Sequence, residues 1–170
     1  MRKTILLSTF CFLTNLIFAQ TTVEINYTKD KEVYLNNKKL DKSTSFDDVK
    51  TMLGQPVVFK EYIATGKVNY HYNELGVSFH TVNGKLLFIG ANLNWDGDKN
   101  FPEKSFEGVL KIDGVLIDKN STDEFISKIK AIEILCPIPE MCMTKDRNEK
   151  TPILIGFKEN TVTQVGFEFH

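Results

Sequence analysis

The chain has 170 residues, with 21 lysines and arginines against 22 aspartates and glutamates and a formal net charge of −1. So balanced a charge gives no basic footprint for nucleic acid or for an anionic membrane surface. Thirteen phenylalanines, five tyrosines and a tryptophan supply a real core, which argues against a disordered chain.

Residues 1–19 have the layout of a secretory signal peptide. Arg2 and Lys3 give a positive start, and Ile5 to Phe18 run apolar apart from Ser8, Thr9, Thr14 and Asn15. Ala19 supplies the small residue at the cleavage point, before the polar stretch Gln20-Thr21-Thr22. A membrane-spanning helix needs about 20 predominantly apolar residues, and this run is shorter and broken by Asn15. A lipid anchor would need a cysteine just after the apolar run, whereas Cys11 lies inside it. The expected protein is therefore exported, periplasmic or secreted, comprises residues 20–170, and does not insert into a membrane once cleaved. Cleavage removes two basic residues and no acid, so the net charge becomes −3. It also removes Cys11 and leaves Cys136 and Cys142, with Pro137 and Pro139 between them. In an exported chain that pair reads as a disulfide closing a small loop. A metal site would need two further ligands, and no histidine is near in sequence.

The mature chain opens on a strand, with Val23, Ile25 and Tyr27 alternating with polar residues. A second strand over Val33-Tyr34-Leu35 turns at Asn36-Asn37 and leaves through Lys39-Leu40. Ser45 is placed to cap a short helix with Asp47 and Asp48 in its first turn, and Gly54 and Pro56 end it. A strand meander follows over 57–63, 67–72, 76–81 and 85–95, with Asn83-Gly84 as the strongest hairpin signal. Gly90 inside the last of these strands suggests a bulge or bend. Residues 95–102 read as a polar loop.

The second half takes up the same plan. Strands over 106–112 and 115–117 flank Asp113-Gly114, and Ser121 with Glu124 forms a capping box for a second helix. Phe125, Ile126, Ile129 and Ile132 or Ile134 supply its apolar stripe. The cysteine loop and a closing hairpin over 152–158 and 161–169 complete the chain. At an offset of 77 residues Val33 falls on Leu110, Leu35 on Ile112, Leu40 on Ile117 and Asp41-Lys42 on Asp118-Lys119. The fold class expected is α+β, mostly antiparallel sheet with two short helices. It would be a tandem repeat of a strand-turn-strand-helix-strands unit, with pseudo-repeats at about 30–95 and 106–170.

The layout of Leu35-Asn36-Asn37, Leu75-Gly76-Val77, Phe106-x-Gly108 and Ile112-Asp113-Gly114 resembles a family of uncharacterised bacterial domains. The resemblance covers most of the mature chain and implies no catalytic residue. In plan, the two sheet-and-helix units are also similar to small periplasmic inhibitor and assembly-factor domains.

Two clusters could carry chemistry. A turn centred on Glu74-Leu75 sets Asn69 opposite His80 and His71 opposite Ser78, all on one sheet face. His71 and His80 are thus candidates to bind a metal or act as a base, and the same pairing would bring Leu87 and Ile89 beside them. Asp96, Asp98 and Asn100 have the opening spacing of a calcium loop with Glu107 at its twelfth position, but Phe101 stands where the turn needs glycine. No nucleophile motif or phosphate loop occurs, and no resident cofactor is implied. The leading expectation is a non-enzymatic module that binds another protein, through Ile138 and Met141 of the cysteine loop and Trp95 and Phe101 of the segment before the second half. The alternatives are a metal-binding protein or hydrolase using His71 and His80, and a carrier of small apolar ligands lined by Tyr70, Phe79 and Phe88.

Overall fold

The computed structural model describes residues 22–146 and 148–170, so the expected signal peptide lies outside the described residues. Alternation of buried and exposed side chains produces β1 (Glu24–Tyr27), β2 (Val33–Leu35), β3 (Lys38–Leu40), β8 (Val109–Ile112) and β9 (Val115–Ile117). They form a five-stranded sheet in the order β3-β2-β1-β8-β9, antiparallel except between β1 and β8. Ile25, Tyr27, Val33, Leu35, Leu40, Leu110, Ile112 and Ile117 are all at most 2% exposed and make one apolar face.

A larger antiparallel sheet has eight strands in the order β10-β11-β12-β13-β7-β6-β5-β4. These are β4 (Val57–Tyr62), β5 (Lys67–Tyr72), β6 (Val77–Val82), β7 (Lys85–Asn92), β10 (Ile134–Ile138), β11 (Met141–Thr144), β12 (Ile153–Lys158) and β13 (Thr161–Glu168). Each half contributes a four-stranded meander, and the meanders join where β7 pairs with β13. The register there sets Gly90 opposite Gly166, with Ala91 opposite Val165 and Ile89 opposite Phe167 on either side.

The two sheets share one core. Tyr27 of the small sheet stacks on Phe167 of the large one, with ring centroids 5.8 Å apart. Helix α1 (Phe46–Leu53) closes one end. Its capping box is complete, because Ser45 Oγ accepts from the Asp48 N–H at 3.1 Å while Asp48 Oδ2 accepts from the Ser45 N–H at 3.0 Å. Phe46 stacks on Tyr70 and Phe79, at 4.7 and 5.9 Å.

The second helix is not an α-helix. Asp123–Lys128 forms a 3₁₀ segment capped by Thr122 without a side-chain bond. The expected box fails because Ser121 Oγ accepts instead from the Asp118 N–H at 2.9 Å. Beyond it, Asp113 Oδ2 accepts from the N–H groups of Lys130 and Ala131, which a continuing helix would have used internally. Corresponding contacts tie both segments to the large sheet. The Phe46 N–H donates to the Gly84 carbonyl and the Asp123 N–H to the Asn160 carbonyl. Likewise the Leu86 N–H donates to Thr44 and the Val162 N–H to Ser121.

The disulfide Cys136–Cys142 is present, and the small loop it closes is the hairpin between two strands. It ties β10 to β11 between the Leu135–Met143 and Ile138–Met141 pairs. Replacing both cysteines with serine should cost about 2 kcal/mol, as a short closed loop removes little chain entropy. Phe79→Ala, at a fully buried ring, should cost about 3–5 kcal/mol. Denaturant unfolding of the purified protein measures both, and equal losses would contradict this placement of the core.

Candidate functional site

The large sheet has an inner face against the core and an outer face that carries the site. Pairing places Val57, Asn69, His71, Ser78, His80, Phe88, Gly90, Gly166, Leu154, Gly156, Met141, Met143 and Leu135 outward. Asn69 does face His80 and His71 does face Ser78, as the turn position implied. The neighbour on the other side is different. An extra residue between the His80–Phe88 and Thr81–Leu86 pairs shifts the register, so Phe88, not Leu87 or Ile89, lies beside His80. Their rings stack at 4.8 Å. Gly90 itself is not a bulge and pairs in regular register with Ser78 and Gly166. A Cβ there would come within 2.8 Å of the Phe88 and Phe101 rings, and one on Gly166 within 2.3 Å of Phe88. The glycine pair lets both phenylalanines lie down on the sheet.

Tyr70, Phe79 and Phe88 do not line one cavity. Tyr70 and Phe79 stack on each other and on Phe46 in the core, while Phe88 lies on the opposite face.

Residues 95–104 run across the first half of this face and are pinned to it. His71 Nε2 and Ser78 Oγ both reach the Asn100 carbonyl, at 3.0 and 2.8 Å. A carbonyl only accepts, so His71 carries its proton on Nε2. Asn92 Nδ2 reaches the carbonyls of Pro102, Glu103 and Lys104 at 2.8–3.2 Å. Gln164 Nε2 donates to Asp96 Oδ1 at 2.9 Å. Phe101, 8% exposed, meets Phe88 edge-on at 6.0 Å. The segment read as a polar loop is thus an anchored strap with an aromatic foot.

The side chains with calcium-loop spacing build the strap's own turns through one oxygen of each aspartate. Asp96 Oδ1 accepts from the Asp98 N–H, and Asp98 Oδ1 accepts from the backbone and side-chain N–H groups of Asn100, each at 2.9 Å. Glu107 lines a separate hollow with Glu74, Leu75 and Lys104. Among the described residues, no three His, Cys, Asp or Glu side chains converge to hold a metal ion.

Both histidines titrate low. Burial depresses His71, which also stacks on Phe59 at 4.3 Å. Burial first, then Lys67 and His71, lowers His80 to about 3. The strap divides the outer face into two hollows. One, of about 490 Å³, is lined by Phe59, His71, Trp95 and Phe101. The other, of about 450 Å³, lies between the strap and β11–β12. The candidate contact residues separate accordingly. Trp95 is 38% exposed on the strap, Ile138 is 50% exposed at the far edge, and Met141 lines the second hollow beside Phe101. Sequence reasoning missed Phe59, Leu154 and the Gly90–Gly166 floor, and it grouped Phe88 with Tyr70 and Phe79 instead of with His80.

Residues 24–127 match the family described as a domain of unknown function, DUF7738. The match covers more than half of the chain, and the protein belongs to this family. No curated protein and no solved structure matches it.

A histidine held neutral by burial stabilises the fold fully above its ordinary pKa of 6.5, and that stability is lost as pH falls toward the folded value. Stability should therefore drop between about pH 6.5 and 4.5, before the carboxylates titrate. His80→Gln should flatten this part of the profile. Thermal unfolding across that range is the measurement, and an unchanged slope would remove the histidines as its cause.

Proposed function

We propose that the protein is an exported module that binds another protein through the outer face of its large sheet. The observation that carries this reading is the set of large apolar side chains at both ends of that face. Val57, Phe59 and Trp95 are 56, 41 and 38% exposed at one end, and Leu135 and Ile138 are 45 and 50% exposed at the other. Patches of this kind, set beside polar groups, are characteristic of interaction surfaces. The strap between them is held by hydrogen bonds from buried side chains, and such preorganisation lowers the cost of docking. The disulfide supports export, since such bridges persist in oxidising compartments. Among the described residues no helix is long and apolar enough to cross a membrane. In this reading His71 serves to seat the strap, and His80 stacks on the Phe88 ring that meets Phe101.

The partner should be isolated from the native exported fraction and its affinity measured with purified components. Trp95→Ala and Ile138→Asp should each weaken the complex by about tenfold or more. Unchanged affinity in both variants would remove the outer face as the docking surface.

The two halves are also proposed to descend from one duplicated unit. The strand order of the large sheet reads alike from either edge, and the bridges Ser45–Lys85 and Thr122–Thr161 match at offsets of 77 and 76 residues. A chimera carrying 41–46 in place of 118–123 should fold and unfold cooperatively, and its failure to fold would count against equivalence.

A further inference from the structure

The hollow between the strap and β11–β12 is more specific than the surface around it. Its volume of about 450 Å³ falls in the range of sites that enclose a discrete group, about 300–1,000 Å³. Its lining is Phe88, Phe101, Met141 and Leu154 over Gly156 and Gly166. Phe88 and Phe101 meet at 78°, so they form an aromatic corner and not a flat wall. The ionisable residues of the lining are Asp96, Asp98 and Glu140, against the single cation Lys158. Asp96 is fixed in place by Gln164, itself 9% exposed, and by the Asp98 N–H.

These features constrain the occupant. An anion would meet three carboxylates across one lysine. A neutral apolar group would cover the floor and strip water from the carboxylates without replacing it, which is costly. A long apolar stem ending in a cation satisfies both parts. A planar guanidinium adds stacking on an aromatic ring and paired donors for a carboxylate, which an ammonium lacks.

Resting on the reading of this face as a protein-binding surface, the geometry points to a partner protein that inserts an arginine side chain into this hollow. Its methylene stem lies on Phe88, Phe101, Met141 and Leu154, and its guanidinium faces Asp96 and Glu140.

The test uses the purified protein, without its partner. N-acetyl-arginine methylamide and its uncharged isostere, N-acetyl-citrulline methylamide, are titrated while amide resonances are followed by NMR. The expected result is saturable shifts at Gly156, Gly166 and the Gln164 side chain. Citrulline should bind at least about fivefold more weakly, the size of one partly screened charge contact. The double variant Asp96→Asn, Glu140→Gln keeps an acceptor for Gln164 and should abolish the difference. Equal binding of the two probes, no binding, or shifts centred on Phe59 and Trp95 would each overturn the assignment. Failure of the docking surface itself reads out separately, as a complex indifferent to Trp95→Ala and Ile138→Asp. A complex sensitive to those changes but not to Asp96→Asn, Glu140→Gln would sink the arginine and leave the surface standing.

Discussion

The pairing of β7 with β13 is the constraint on which the rest of the molecule depends. Backbone hydrogen bonds along residues 88–92 and 164–168 turn two four-stranded meanders into one sheet. They also place Tyr27 over Phe167, so that the small sheet sits above the seam. At its centre Gly90 faces Gly166, and the missing Cβ atoms let Phe88 and Phe101 lie against the outer surface. A larger residue at either position would lift those rings, and with them the strap, off the sheet.

From that floor outward, stability and surface chemistry are coupled. The strap is held by side chains that are themselves mostly buried, namely His71, Ser78, Asn92 and Gln164. Their hydrogen bonds are worth more in this partly dry setting than on an open surface, and an unmade one costs more too. His71 fits that role as a neutral ring, and burial opposes the charge on both histidines. In the hollow beside β11–β12, what the strap leaves uncovered is largely apolar, and its ionisable fringe is mostly acidic.

The opposite edges of the large sheet are treated differently. β10 carries Pro137 and is tied to β11 by the disulfide, two devices that discourage a further strand from adding there. β4 has no proline, but a register shift between Val58 and Lys60 and the charges of Lys60 and Glu61 interrupt its edge.

Much of this was legible along the chain because its signals are local. Ser45 with the Asp47-Asp48 pair, the Asn83-Gly84 turn, and the position of Glu74-Leu75 each act within a few residues, and each element formed where those residues placed it. The pairing of Cys136 with Cys142 was equally local. The second helix was misjudged because Ser121 and Asp113 spend their side chains on other backbone groups, a competition that spacing does not reveal. The one-residue shift at Leu87 carries no residue-type signal, yet it decides that Phe88 joins the histidines. Local sequence thus determined most of the strands, the first helix, the histidine face and the disulfide, but not β10 and β11, which it left as the cysteine loop. Only tertiary structure decided which face the strap covers and which hollow stays open, because that choice rests on contacts such as His71 to Asn100 and Gln164 to Asp96, between residues 29 and 68 positions apart.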